Sequence, residues 1–303
     1  MLVERRTDGE ARGRRASLMA DLSLVGICVI WGTSFAIVKT VVQGINPAAF
    51  IAARFALAAV LIGLGAWNRV KILNWATWRA GLLLSIPLFS GFILQTHGLG
   101  ATTASKAGFI TGMHVVFTPL LQWIILRRRV HGYEAAGVGV ALAGLGMLTL
   151  SGSARPSAGD LLVLACAFAF AVHIVMLAHY SPRHDVVLLS FTQMVWAALL
   201  AALVAGRDIT EVLSYNRELV LSVAYLGAGG TALAYLVQTV AQKYTPPIRA
   251  ALILQLEPVF AAIFARILIA EQMSGRQYAG AVTIFAGILV CQIGDSMLER
   301  EVS

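Results

Sequence analysis

Ten apolar runs, each about twenty residues long and so able to cross a bilayer core as a helix, constrain this 303-residue chain more than any other feature. In hydrocarbon every backbone N–H and C=O must be bonded within its own segment, and a helix achieves that. The runs predict spans at roughly 21–42, 47–66, 77–98, 103–126 and 134–151, then 158–180, 185–206, 218–241, 246–269 and 275–295. Turn residues punctuate them: Asn46-Pro47, the 151–156 stretch, Ser181-Pro182 and Thr245-Pro246-Pro247. Only 13% of residues are charged and 58% are hydrophobic, whereas a soluble domain carries about a quarter charged residues to keep its surface wet. The expected fold class is therefore an all-α polytopic membrane protein of ten transmembrane helices.

The net charge of +8 is spread over the breaks between runs, which argues against a nucleic-acid-binding face. Lysine and arginine are retained on the cytoplasmic side of a membrane. With the N-terminus inside, fifteen of the 23 fall on the inner side, including Arg5, Arg6, Arg12, Arg14, Arg15 and Arg127–Arg129. Six fall outside (Lys39, Lys106, Arg155, Arg207, Arg217, Arg276), and Arg54 and Arg266 lie within spans. Both termini of this multi-pass membrane protein are expected in the cytoplasm. Cys28, Cys166 and Cys291 sit in apolar segments and imply no disulfide framework. The first run is long enough to span and lacks a clear cleavage site, so it is not read as a signal peptide.

The chain also repeats itself. An offset of 143 residues pairs Gln95-Thr96 with Gln238-Thr239, Lys106-Ala107 with Arg249-Ala250, Phe117 with Phe260, Gly137 with Gly280 and Ala143-Gly144 with Ala286-Gly287. Near the start of each half, an offset of 139 pairs Asp21-Leu22 with Asp160-Leu161 and Arg54 with Gln193. Five spans per half is an odd number, so the second half enters from the opposite side: two inverted five-helix repeats enclosing a site near the midplane. The expected divisions are a cytoplasmic tail over 1–20, a first repeat over 21–151, a second over 158–295 and a tail over 296–303.

Polar groups inside spans usually face the bundle interior or a wet cavity. The substrate-cavity candidates are Trp31, Ser34, Phe35, Gln95, His114, His173, Trp196, Tyr235, Gln238 and Glu257. Glu257 precedes Pro258, which removes a backbone donor and opens the helix, so it can meet an ammonium group or a proton; it can equally be a buried structural carboxylate. His114 and His173 can carry a proton near neutral pH or simply pack through hydrogen bonds. Gln95 and Gln238 can line paired gates or join helices. The aromatic candidates can form an apolar wall or face lipid, and Trp67, Trp75 and Trp78 read as interface anchors. Arg54 and Arg266 are expected to snorkel toward water, with attraction of a substrate carboxylate the alternative for Arg54. Gly227-Ala228-Gly229-Gly230 lacks the lysine of a phosphate loop and reads as packing or bending. No HExxH pair, GxSxG turn or close carboxylate cluster occurs, so catalytic residues, a metal site and a cofactor are not expected.

Trp31-Gly32-Thr33-Ser34-Phe35 through Lys39, Arg54-Phe55, Leu256-Glu257-Pro258-Val259-Phe260, Glu271, Gly280 and Ala286-Gly287 together resemble the EamA pattern, the ten-helix exporter branch of the drug/metabolite transporter superfamily. The first half departs from it where His114-Val115 stands opposite Glu257-Pro258, with its proline later at Pro119. The resemblance implies export of small organic metabolites across a bacterial inner membrane, with amino acids, aromatic or otherwise apolar, as the narrower expectation. A different metabolite or a drug is the alternative substrate, and an intramembrane enzyme or a membrane sensor is the alternative function. The expected partners are a small-molecule substrate and the lipid bilayer, and ten helices suffice for a functional monomer.

Overall fold

The computed structural model describes residues 2–34, 37–38, 44–102, 104–150, 157–213, 217–268 and 273–302, without the side chains at 2–12, 14, 104–106, 211–213, 265, 266, 268 and 299–302. Phe35, Lys39, Arg155 and Glu271 lie outside these residues, as do the side chains of Lys106 and Arg266. Among the described residues all regular structure is helical.

Nine helical segments are long and apolar enough to cross a membrane among the described residues. Span one is the Arg15–Gly32 part of a helix that begins at Leu2, so most of the predicted tail continues the helix. Spans two and three are Pro47–Gly65 and Trp75–Ala101, capped by the side chains of Asn46 and Asn74. Span four is broken into Ala104–Gly112 and His114–Leu126. Spans six and seven are Ala158–Tyr180 and Val186–Ala205, started by Ser157 and Asp185 caps. Span eight joins Arg217–Gly227 and Ala234–Ala241 through a wider π-helical turn over Ala228–Leu233. Span nine is broken into Pro247–Leu254 and Leu256–Leu268, and span ten lies within Gly275–Val302. The remaining helix, Gly132–Thr149, is span five; Glu134 and five glycines dilute its hydropathy, and it packs lengthwise on span ten.

The two halves interlock about a two-fold axis. Spans five and ten pack on each other, as do two and seven. Three meets six as eight meets one, and four meets six as nine meets one. A symmetric interface has this signature: if i meets j, the counterpart of j meets the counterpart of i. The glycines show the same symmetry at atomic scale. A Cβ added at Gly137 would lie 2.8 Å from the Gly287 carbonyl, and one at Gly144 would lie 2.7 Å from the Gly280 carbonyl. Gly280 is the counterpart of Gly137, and Gly287 that of Gly144. Small residues let these two helices touch backbone to backbone.

Loop contacts sort the ends onto two faces. Arg69, after span two, pairs with Asp185, after span six, at 2.7 Å. On the opposite face, Asn46, after span one, donates to Asp208, after span seven, at 2.7 Å. Asp21, at the start of span one, accepts from Gln292 near the end of span ten at 3.3 Å, so the two chain ends share a face. Trp67 and Trp75 stand out toward the membrane surface, as expected of anchors, but Trp78 is half-buried against Phe191 and Trp196.

Candidate functional site

The axis runs through a cavity of about 720 Å³ of free space, its mouth included. Trp31, Ser34, Gln95, His114, His173, Tyr235, Gln238 and Glu257 line it, eight of the ten residues singled out from the sequence. Phe35 lies outside the described residues. Trp196 faces elsewhere: its indole Nε1 donates to the Trp78 carbonyl at 3.1 Å and its ring meets Trp78 edge-on at 6.0 Å. Its polar handle is thereby used in joining spans three and seven.

Val38, Arg54, Phe92, Leu99, Thr111, Phe170, Ile174 and Leu254 complete the lining. Several are repeat partners of the residues already singled out. The 143 offset carries Tyr235 to Phe92, and the 139 offset carries Trp31 to Phe170 and Ser34 to His173. Projecting each candidate through the repeat would have found both phenylalanines from the sequence.

Local breaks in the helices build the site. Pro258 has no N–H to give the carbonyl four residues back, and span nine breaks at Gln255, leaving Glu257 in the first turn of the segment beyond. Span four breaks at the equivalent level, with His114 opening its second segment. The Gln255 side-chain amide donates to the Gly112 carbonyl, so the second half helps satisfy backbone freed in the first. The π-helical turn of span eight aims two groups at the cavity wall. Its Gly230 carbonyl accepts the Trp31 indole N–H at 2.8 Å, and Thr231 Oγ1 accepts from Arg54 at 3.2 Å.

Tyr235 is the hub of the apolar wall. Its ring lies 5.4 Å from Trp31, 6.0 Å from Phe92 and 5.8 Å from His173, the last contact edge-on. His173 Nε2 shares a 3.1 Å hydrogen bond with Gln193, whose amide donates to Thr239 at 3.3 Å. Gln95 donates to Thr111 at 3.3 Å, and Gln238 to Gln242 at 3.1 Å. Gln238 Oε1, His114 Nδ1 and Arg54 Nε are buried and lack partners among the described residues. Arg54 does not snorkel. It is 4% exposed, turned inward, with its guanidinium 5.0 Å over the Phe92 ring and 5.6 Å from that of Phe50.

The cavity departs from the axis toward one face. It reaches Val38 and Leu99, but their counterparts Leu177 and Gln242 stand outside it, the latter held by a 2.9 Å bond to the Ile174 carbonyl. The described lining therefore extends further toward the face opposite the chain ends. The face with the chain ends carries a buried charged cluster: Arg249 meets Asp295 at 3.1 Å and Asp21 at 3.5 Å, and Asp21 accepts from Thr245 at 2.8 Å. Tyr133 donates to Asp295 at 2.8 Å, bringing in span five. The counterpart of the Thr245–Asp21 bond on the opposite face is Thr102 to Asp160. Among the described residues no group of three or more His, Cys, Asp or Glu side chains is arranged to hold a metal.

Comparison with known proteins matches both halves separately, residues 18–150 and 157–292, to the model of the EamA-like transporter family. The chain is 33% identical to an uncharacterized transporter of Archaeoglobus fulgidus over 91% of its own length and 86% of the relative's. It is 27% identical to a probable amino-acid metabolite efflux pump of Salmonella typhimurium, covering 88% of this chain and 93% of that one. A solved structure at 20% identity superposes with a TM-score of 0.76 over 93% of this chain and 99% of the other, a likeness of fold.

Proposed function

The chain belongs to the EamA-like transporter family, and on that premise we propose that it exports amino acids or closely related metabolites, aromatic or apolar ones foremost, across a bacterial inner membrane by alternating access. The observation that carries this reading is the cavity on the two-fold axis, flanked by two broken helices and lined by residues of both halves. Discontinuous helices beside a midplane site are how secondary transporters present backbone and side-chain groups to a substrate. Trp31, Phe92, Phe170 and Tyr235 offer a flat apolar surface, and Ser34, Gln95, His114, His173, Gln238 and Glu257 offer polar contacts. With both termini cytoplasmic, as the lysine and arginine bias argues, the described lining extends toward the outer side and the Arg249 cluster lies at the inner face. The name of the Salmonella relative supports the substrate class.

Counterflow in liposomes tests this. Purified protein is expected to accelerate exchange of phenylalanine, tyrosine or leucine over protein-free vesicles. If no metabolite in a broad panel crosses faster than through protein-free vesicles, the transporter reading is overturned.

A further inference from the structure

At the face with the chain ends buried charge is neutralised by opposite charge: Arg249 lies between Asp21 and Asp295. Two cavity residues break that habit. Arg54, 4% exposed, donates through Nη2 to the neutral Thr231 and lies over the Phe92 ring, yet its Nε has no partner and no carboxylate among the described residues meets it. Glu257 lines the same space and makes no side-chain hydrogen bond or ion pair among the described residues. The two do not pair with each other across the cavity. Leaving one cation and one anion separately desolvated is costly, and a direct ion pair would have been the cheaper arrangement.

We propose that Arg54 and Glu257 are the two poles of one binding site for a zwitterion, Arg54 taking the carboxylate and Glu257 the ammonium group, with the apolar remainder against Tyr235 and Trp31. This rests on the transporter reading above and deepens it. A ligand carrying both charges neutralises both poles at once. A lone amine would leave Arg54 unpaired, and a lone carboxylate would leave Glu257 unpaired. The Tyr235 and Trp31 rings, 5.4 Å apart in the same lining, form an apolar wall for a flat or branched side chain. Gln238 Oε1, buried and unpartnered in the same lining, can accept a second ammonium hydrogen.

The test is counterflow with the full-length protein and three probes that share one side chain and differ at the charged ends: L-phenylalanine, its amide, which lacks the carboxylate, and N-acetyl-L-phenylalanine, which lacks the ammonium group. Wild type should move the zwitterion at least about tenfold faster than either analogue, because each lost charge-assisted contact leaves a buried pole unmet. Glu257→Gln should reduce phenylalanine flux and raise that of the N-acetyl analogue, which no longer leaves a buried carboxylate unmet, so that the difference between the two closes. Arg54→Gln should do the same relative to the amide, and Arg54→Lys should restore part of the difference. If both variants depress all three probes alike, the two residues are structural and the proposal is overturned. The wild-type comparison needs no variant and decides alone if a substitution prevents folding. If wild type moves some metabolite but prefers no zwitterion over its singly charged analogues, the transporter reading stands and this inference falls.

Discussion

Adding one methyl group where spans five and ten cross should separate the helices that the two-fold axis brings together. A Cβ at Gly144 would lie 2.7 Å from the Gly280 carbonyl and 2.7 Å from the Ile284 nitrogen. Comfortable contact is about 3.5–4.0 Å, so the helices must part by roughly 1 Å. The obstructing atoms are backbone and cannot rotate aside, which puts the cost at the upper end of overpacking, about 3 kcal/mol. Replacing glycine by alanine inside a helix returns about 0.5–1 kcal/mol, so the net loss for Gly144→Ala should be about 2 kcal/mol. Gly139, on the same helix with nothing within 4 Å of its added Cβ, supplies the control and should be neutral or slightly stabilising. Gly287 is the counterpart of Gly144, its Cβ meeting the Gly137 carbonyl and the Ala141 nitrogen at 2.7 Å each, so Gly287→Ala should match Gly144→Ala within about 0.5 kcal/mol. Gly144→Ala with Gly280→Ala should lose less than the sum, since one separation accommodates both methyls. Reversible unfolding in mixed micelles, followed by circular dichroism, measures all of these variants. Equal stabilities for Gly144→Ala and Gly139→Ala would refute backbone contact at the crossing.

Two further outcomes follow from charges near the membrane faces. Arg249→Met leaves Asp21 and Asp295 buried without their cation, a loss of about 3–5 kcal/mol when a buried pair is broken; a cysteine placed at Gln242 should then react faster with an impermeant maleimide from the face bearing the chain ends, whereas unchanged labelling would show that the cluster does not close that face. At Asp185, burial pushes the carboxyl up, but the Leu188 N–H, Arg69 and the Val187 N–H together hold it below the usual carboxylate range. A depressed carboxyl adds stability above its unfolded value, near about 4, and loses it as pH falls through its folded value. Asp185→Asn retains a good helix cap, so wild type should be the more stable above about pH 5, with the gap closing in stronger acid; a gap independent of pH would rule out the ion pair as its source.

Hydropathy reports how deep a residue sits in a span but not which way it faces, and that distinction separates the legible from the hidden here. The spans, their duplication and the register of 143 are all in the sequence because each depends on residue type and spacing alone. Arg54 is legible as an arginine within a span near one face and expected to snorkel, yet its inward direction depends on Thr231, presented by a π-helical turn that no propensity in Ala228–Leu233 announces. Trp196 has the same chemistry as Trp31. What separates them is the acceptor each indole finds: the Trp78 carbonyl between packed helices, or the Gly230 carbonyl at the cavity. The fifth span is legible at its right place although glycine thins its hydropathy, because Gly137 and Gly144 repeat the spacing of Gly280 and Gly287.

The repeat also explains why the cavity can have a direction. A strictly two-fold cavity would offer the same groups to both faces and could not tell one end of a substrate from the other. The halves agree where they must hold the scaffold: Gln95 with Gln238, the paired glycines, and the Thr102–Asp160 and Thr245–Asp21 bonds. They differ at the positions that carry charge or a polar tip. Arg54 stands opposite Gln193, His114 opposite Glu257 and Phe92 opposite Tyr235. Each substitution sets one polar or charged group against a neutral or apolar counterpart, so the symmetric frame encloses a polarised interior. A frame that is nearly symmetric can exchange its inward and outward shapes at small cost, because each interaction broken at one face has an equivalent that forms at the other. Arg249, bracketed by two aspartates, ties spans one, nine and ten together at the face with the chain ends, and those buried ion pairs must break for that face to open.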